Sequence, residues 1–406
     1  MQGTAANDRA SSIVLRPNQS EGDDVPIEAP SKDRFADTAR SPMIRVIRAQ
    51  DPEWDEWLDR TADDVYHRSG YHRFHERTAA ASARLLVVEQ GAHALLWPYL
   101  KRQVSHVHEL SDIPAIDLDS VYGYPGPLYV GKGPTDAFLA LAWRTLHGHW
   151  REQGVVSVFT RFHPLLGNAK LAHRFAGAPG SGVRLLGETV SIDLHLTEEG
   201  ALGEYKRDLR RDITSARRAG MTSHLDPEWQ NLEAFSAIYA ATVRRNGIDP
   251  NFSYSLDDFR QLRTEVGSEL HMFVTELDGN PVSATLVTEH RGIVQAHLGG
   301  SRDGMRAHSP DKVHLDDIRR WASERGNSVF HLGGGRGAVA DSLFFFKARF
   351  SGRRHPFHIG CWVIDPTAYH ELEAIRRQRA ELVGLEPDDN FFPAYRAPLH
   401  AKGSRA

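Results

Sequence analysis

Cysteine, long apolar runs and an excess of charge of either sign are all scarce in this sequence. Its single cysteine, Cys361, excludes a disulfide within the chain, and a reducing compartment fits best. The longest apolar runs, such as Leu343–Phe346, fall far short of the ~20 residues of a membrane span, and no secretion signal opens the chain. A net charge of −4 excludes general avidity for nucleic acid and leaves only a local basic patch. We therefore predict a cytoplasmic protein without a membrane span.

Length and composition indicate a globular chain of two domains with tails. The 406 residues are 40% hydrophobic and 25% charged. Residues 1–42 are rich in Ser, Asp, Ala and Pro without apolar periodicity, which predicts a disordered tail. Domains are predicted at 43–200 and 201–366, followed by a C-terminal helix and tail at 367–406 that pack across the outside.

The same order of elements is predicted twice. In the first half, apolar runs at 85–90 and 94–102, split by Gly91, predict a hairpin that precedes a helix at 134–153 and a strand at 155–160. The second half repeats this order, with a three-stranded meander and a helix that begins at Ser309-Pro310-Asp311, where the serine hydroxyl is expected to cap. This repetition predicts an α+β fold of two pseudo-symmetric units.

Four segments resemble one known family over roughly residues 44–366. They are Arg210–Ile213 with Ala216–Gly220, Asp341–Phe350, Tyr122–Pro127 and Arg161–Pro164. The chain resembles the FemABX and FemAB-like acyltransferases, whose members carry two tandem GNAT-like domains. That resemblance implies an N-acyltransferase that moves an aminoacyl or acyl group to an amine of a cell-envelope, polysaccharide or natural-product precursor.

The resemblance also implies the co-substrates. FemABX proteins take amino acids from aminoacyl-tRNA, so a tRNA acceptor end is an expected partner, and no tightly bound cofactor is expected. A standard acetyl-CoA-binding GNAT domain carries [Q/R]-x-x-G-x-[G/A] after its fourth strand, and Ser301–Asp311 does not fit that pattern. Acyl-CoA is therefore the second choice of donor.

Lys347 is the first candidate for catalysis. It lies among Leu343–Phe346 and Phe350, so its ammonium either lies desolvated near a site or extends to water. The resemblance to the family's Phe-Lys pair implies that Phe346 contacts the donor. The same pair implies that Lys347 stabilises the donor carbonyl, or the donor's terminal phosphate or ribose.

A glycine run follows the predicted strand at 328–332. Gly333, Gly334 and Gly335 with Arg336 allow close approach of a ligand and present amides to an anion, so they are donor-binding candidates. A simple strand-to-helix turn is the competing interpretation. The run also fits G-x-G-x-x-A, but a dinucleotide fingerprint belongs in a parallel βαβ unit, and an antiparallel meander precedes it here.

Histidines end two strands of the second half. His297 and His331 are expected to flank the notch where the fourth and fifth strands of a GNAT fold part, and either can accept the amine proton, or simply be satisfied within its strand. The matching strand ends of the first half supply the acceptor-binding candidates, which are Tyr122, Tyr124, Arg161 and His163. Structural roles in turns and caps are the competing interpretation of these four residues.

Two further patterns remain. Basic pairs between Lys206 and Arg218 form either a solvated helix face or a contact for an RNA acceptor stem. His72-x-x-His75 and His355-x-x-His358 lack the additional ligands of a known site, so no metal is predicted. A non-catalytic module that binds a glycan or a carrier protein is the alternative function.

Overall fold

The computed structural model describes residues 41–247, 253–305 and 308–402. Almost all of the predicted disordered tail, 1–42, lies outside the described residues.

The first half of the chain forms a meander followed by a helix and two further strands. Its strands are β1 Met43–Arg48, β2 Ser82–Gln90, β3 His93–Gln103, β4 Ile116–Asp119, β5 Leu128–Val130, β6 Val155–Arg161 and β7 Gly182–Asp193. Its helices are α1 Glu53–Leu58, α2 Ser69–Thr78 and α3 Asp136–Glu152.

The second half repeats that order after two short helices. Its helices are α4 Glu198–Glu204, α5 Arg207–Arg218, α6 Leu232–Arg245, α7 Leu256–Val266, α8 Pro310–Glu324 and α9 Ser342–Lys347. Its strands are β8 Thr222–Leu225, β9 Leu270–Leu277, β10 Asn280–His290, β11 Ile293–Ser301, β12 Val329–Gly333 and β13 Arg354–Val363. The chain continues with α10 Pro366–Glu381, β14 Leu385–Pro387 and β15 Leu399–Ala401.

A single sheet unites the two halves. In the described residues it has 13 strands, in the order β1-β2-β3-β4-β6-β13-β7-β12-β11-β10-β9-β8, with β5 also paired to β3. Counted from either edge, an antiparallel meander leads to a parallel pair, β4 with β6 or β11 with β12. The central strands are exchanged, because β13 of the second half pairs with β6 and β7 of the first half pairs with β12. The predicted twin α+β arrangement is confirmed.

The packing differs between the two faces of the sheet. On one face α1, α2, α6 and α7 share one core that includes Trp54 and Phe74 from the first half and Phe235 and Phe259 from the second. On the other face each half has its own core, under α3 in the first half and under α8 in the second. The shared core therefore fixes the two halves against each other.

Local sequence signals explain most element ends. Thr135 caps α3 by accepting the Phe138 amide at 3.2 Å. The prediction that the Ser309 hydroxyl caps α8 is wrong: Ser309 has a φ of 61°, makes no side-chain cap and accepts from Lys312 Nζ at 2.9 Å. Pro310 does occupy the first turn of α8.

The C-terminal segment does more than cover the outside of the first half. Tyr395 and Arg396 are buried, and the Arg396 guanidinium pairs with the buried carboxylate of Asp117. Arg376 on α10 donates to the carbonyls of Tyr395 and Ala397 at 2.8 and 2.7 Å. This segment therefore supplies the fully buried acid on β4 with a second cationic partner besides Arg102.

Candidate active site

Strands β11 and β12 part in the second half, and the predicted site residues lie around that point. Their parallel pairing runs from Ile293 opposite Val329 to Gln295 opposite His331 and stops there. Beyond it, β11 stays with β10 while β12 stays with β7. His297 and the glycine run 333–335 therefore lie at the free ends of two diverging strands.

The glycine run forms a tight turn between β12 and α9. A Cβ on Gly335 would lie 2.0 Å from the Val339 carbonyl oxygen, so only glycine fits there. Asp341 then caps α9, accepting from the amides of Leu343 and Phe344 at 3.1 and 3.0 Å. Asp341 also holds the half-exposed Arg336 through a 2.8 Å ion pair. Asp341 therefore fixes the start of α9, and the turn interpretation of the glycines has direct support.

Lys347 folds back from α9 onto this turn. Its Nζ donates to the Gly334 carbonyl at 2.7 Å. Burial lowers the pKa of Lys347 to about 8, so the ammonium remains largely protonated at neutral pH. Phe346, next to it, packs its ring against Phe350 in the core of the second half.

Tyr124 reaches the same turn from the first half of the chain. A Cβ on Gly333 would lie 3.3 Å from Lys347 Nζ and 3.5 Å from Tyr124 Oη, so both polar ends face the space that this glycine leaves open. Burial raises the pKa of Tyr124, which keeps the phenol protonated and able to donate. Two hydrogen-bond donors from opposite halves of the chain therefore converge at the end of β12.

Tyr122 and Tyr124 lie in a loop that interrupts the strand pairing of the first half. The pairing with β3 jumps from Asp119, opposite Leu100, to Leu128, opposite Leu96. The intervening loop leaves the sheet and crosses towards the second half. Gly126 packs this loop closely, because a Cβ there would lie 3.0 Å from the Arg161 carbonyl oxygen. The loop therefore lies against the end of β6.

His331 is buried with both ring nitrogens engaged. Nδ1 lies 2.7 Å from Gln295 Oε1, and Nε2 lies 2.8 Å from Thr189 Oγ1. Burial holds the pKa of His331 well below its ordinary value. Such a ring is neutral and fully bonded, which favours a role in holding neighbours in place, and proton acceptance by His331 stays a prediction.

His163 is likewise buried rather than open to an acceptor. Its Nε2 lies 2.9 Å from Asp64 Oδ2, and Gln295 Nε2 also donates to that carboxylate. Asp64, Gln295 and Thr189 were not singled out from the sequence. An isolated Asp, Gln or Thr carries no local signal, and only the packing of the two halves brings these residues together.

His297 lies in an aromatic surround. Its Nδ1 is 3.3 Å from Tyr66 Oη, and the rings of Tyr71 and Tyr122 lie at centroid distances of 5.7 and 5.8 Å. Burial lowers the pKa of His297 to about 4, so the imidazole is neutral at pH 7. The neutral ring can accept a proton, but its low pKa makes it a weak base.

Arg161 contacts the loop between β4 and β5 and not the Gly333 turn. Its Nη1 donates to Ser120 Oγ at 2.8 Å, and its guanidinium lies 4.7 Å from the centre of the Phe159 ring. Burial lowers the pKa of Arg161. Contact of Arg161 with an acceptor stays a prediction.

Helix α5 presents most of its basic residues to solvent. Leu209, Ile213 and Ala216 form its buried face. The exposed basic residues are Arg207, Arg210, Arg211 and Arg218, together with Lys206 just before the helix. Arg217 instead pairs with Asp316 and Asp317 at 2.9 and 2.6 Å.

A metal site and a membrane-spanning helix are both absent from the described ranges, 41–247, 253–305 and 308–402. These ranges hold no group of three or more His, Cys, Asp or Glu side chains arranged to bind a metal ion. Nor do they contain a helix with the length and apolar character needed to cross a bilayer.

Known proteins share this architecture. Residues 203–340 match the family described as acetyltransferase (GNAT) domain, a range that includes β11, β12 and the glycine turn. The crystal structure of FemX superposes with a TM-score of 0.59 at 13% identity, covering 81% of this chain and 99% of that one. No curated protein matches the sequence.

Two further solved structures share less of the fold. One is the C-terminal domain of a putative lysylphosphatidylglycerol synthetase from Agrobacterium fabrum, with a TM-score of 0.46, 17% identity and coverage of 77% of this chain and 93% of that one. The other is a tandem GNAT protein from the clavulanic acid biosynthesis pathway, with a TM-score of 0.44, 14% identity and coverage of 80% and 99%. Residues 203–340 therefore match a GNAT acetyltransferase domain, and over most of its length the chain shares the fold of FemX.

Proposed function

We propose that this protein transfers an aminoacyl or acyl group from an activated donor to an amine, and that the donor is an aminoacyl-tRNA in preference to an acyl-CoA. The acceptor is the amine of a cell-envelope, polysaccharide or natural-product precursor. One observation carries the proposal: Lys347 Nζ and Tyr124 Oη face the same opening at Gly333, where β11 and β12 have parted.

That convergence suits acyl transfer. A neutral amine attacks the acyl carbonyl carbon, and the carbonyl oxygen gains negative charge. The bond to the leaving group then breaks, and the proton lost by the nitrogen ends on the released hydroxyl or thiol. Donors aimed at the carbonyl oxygen stabilise the transition state, and the loss of one such donor typically costs ~10²–10³ in kcat. An ammonium and a phenol from different halves can supply two such donors, while the acceptor enters between the halves.

The acidic start of α8 supports a donor other than coenzyme A. Asp311 lies in the first turn of α8 and accepts from Ser283 Oγ at 2.8 Å and Ser301 Oγ at 3.2 Å. A helix N-terminus attracts phosphate through its free amides, and a carboxylate in the same place opposes a pyrophosphate.

The exposed basic residues of α5 support a nucleic-acid donor. Arg207, Arg211 and Arg218 project from the helix surface, and Arg349 beside them pairs with Asp208 and Asp212. Because phosphate contacts rely on Lys and Arg, this local basic row suits an acceptor stem on a chain of net charge −4.

A donor panel tests the proposal. Purified protein is incubated with charged tRNAs and with acyl-CoA thioesters, each with and without a panel of primary amines, and release of free tRNA or free thiol is measured. Amine-dependent release of tRNA, slowed by about 10²-fold in Lys347→Met, is the expected result. Release of thiol alone would show that the donor is an acyl-CoA, and the proposal of acyl transfer would stand. Release of neither, with an amine bound, would contradict the proposed transfer.

A further inference from the structure

A buried chain of hydrogen bonds joins the two halves behind the Gly333 turn. It runs from His163 to Asp64, Gln295, His331 and finally Thr189. Each of these five residues is at most 1% exposed. Asp64 and His163 belong to the first half, Gln295 and His331 to the second, and Thr189 to the exchanged strand β7.

Which group donates in each hydrogen bond from Asp64 to Thr189 follows from the fact that a carboxylate can only accept. The amide nitrogen of Gln295 must therefore face Asp64. Gln295 Oε1 then faces His331, whose Nδ1 must carry the proton. His331 Nε2 is left as the acceptor for the Thr189 hydroxyl at 2.8 Å.

The hydrogen bonds of His163, in the first half, also make Asp64 an acceptor. His163 Nδ1 accepts from the backbone amides of Leu165 and Leu166 at 3.2 and 3.3 Å, so its Nε2 carries the proton and donates to Asp64. Burial acts to raise the pKa of Asp64, but the hydrogen bond and charge of His163, the charge of His67 and the hydrogen bond from the Val65 amide together outweigh it, and the pKa lies below its ordinary value. Asp64 is therefore a carboxylate at neutral pH.

The two imidazoles support Tyr124. The Tyr124 ring lies edge to face against His331 at a centroid distance of 5.3 Å and against His163 at 5.8 Å. The orientation of these rings therefore sets where Tyr124 Oη comes to lie beside Gly333.

We propose that Asp64 is a positioning residue of the acyl-transfer site: through the amide of Gln295 it fixes His331 as the Nδ1–H tautomer and seats Tyr124 at the Gly333 turn. Asp64 does not touch the substrate. Its effect on turnover rests on the proposed function, whereas its effect on the His331 tautomer does not.

An exchange of the acid and the amide gives a sharp test. In Asp64→Asn the side-chain oxygen is expected to stay with the Val65 amide, which donates to Asp64 Oδ1 at 2.8 Å, so the new NH₂ group takes the place of Oδ2 and faces Gln295. Gln295 can then turn and impose the Nε2–H tautomer on His331. In the double variant Asp64→Asn/Gln295→Glu the carboxylate again accepts from both sides, and the Nδ1–H tautomer returns. Two-bond nitrogen–proton correlations of ¹⁵N-labelled histidine measure the tautomer directly, in the presence or absence of any substrate.

We expect kcat to fall when His331 loses the Nδ1–H tautomer and to recover when that tautomer returns. Asp64→Asn is expected to lower kcat by about 10²-fold, the usual cost of a small misplacement of a reacting group, with the KM of the donor within about twofold. The double variant should recover to within about tenfold of the wild type. Asp63→Asn is the matched control, since Asp63 is equally buried but pairs with Arg68, His290 and Arg291, and it should leave the His331 tautomer unchanged.

Several outcomes would overturn the inference. These are an unchanged His331 tautomer in folded Asp64→Asn, a double variant that regains neither tautomer nor turnover, or the same tautomer change in Asp63→Asn. If Asp64→Asn does not fold, Gln295→Met cuts the same link and must lose the Nδ1–H preference. A wild type without any amine-dependent transfer would refute the proposed function, while the tautomer result would still decide the role of Asp64.

Discussion

Tyr124 and Lys347 lie more than 200 positions apart in the sequence, yet both direct their polar ends at Gly333 from opposite halves of the chain. Each is held by its own surroundings, Lys347 by the Gly334 carbonyl and Tyr124 by the imidazoles of His163 and His331. The site is therefore composite, and its geometry depends on how the halves pack.

The pairing of Tyr124 with Lys347 predicts coupled losses of turnover. Tyr124→Phe and Lys347→Met are each expected to lower kcat by about 10²-fold, because each removes one donor to the developing oxyanion. The double variant should lose less than the product of the single losses if both donors act on one oxygen. Steady-state kinetics of the four proteins measure this coupling, and strictly multiplicative losses would show that the two groups act separately.

The lowered pKa of Lys347 predicts that kcat falls at alkaline pH. Its pKa is lowered to about 8 by burial, so the cation present below pH 8 is lost above it, and kcat is expected to fall there. Lys347→Arg keeps a cation at all accessible pH values and should move this limb upward, even at reduced kcat. A pH–rate profile of both proteins is the measurement. A limb at the same pH in Lys347→Arg would assign the titration to another group.

Gly335→Ala should destabilise the glycine turn. The added methyl would meet the Val339 carbonyl oxygen at 2.0 Å and Asp341 Oδ1 at 2.5 Å, which costs about 1–3 kcal/mol of overpacking. Gly203→Ala in α4 is the control, since nothing lies within 4 Å of its Cβ and alanine favours a helix. Urea unfolding should show a loss for Gly335→Ala only, and equal stabilities would contradict the tight turn.

His290 predicts a loss of stability at alkaline pH. Although burial acts to lower its pKa, hydrogen bonds to Asp63 at 3.2 Å and Glu269 at 2.5 Å raise it to about 9. The stabilisation is thus fully present below the unfolded pKa of ~6.5 and is lost as pH rises through about 9, by on the order of 2 kcal/mol.

Unfolding free energies between pH 6 and 10 measure this effect. His290→Gln removes the titrating group and should flatten that part of the curve. A slope that persists in His290→Gln would assign the loss to other groups.

Much of the fold follows from local patterns in the sequence. Gly91 between two apolar runs predicts the hairpin of β2 and β3, and Asp341 predicts the start of α9, because turn and cap residues act on their immediate neighbours. Lys347 and Gly333–Gly335 likewise stand out in the sequence, since a lysine among aromatic residues and consecutive glycines are unusual in themselves.

Only the tertiary structure decided how those pieces meet. The exchange of β7 and β13, the insertion of Arg396 at Asp117 and the approach of Tyr124 to Lys347 all join residues far apart in the chain. Short-range propensity contains no information on such partners, because their free energy arises from shared burial and from satisfying polar groups that the sequence leaves unpaired. The sequence thus determined the twinned elements and the lysine at the end of α9, while packing between the halves determined how Tyr124 meets Lys347 and how the buried chain runs from Asp64 to His331.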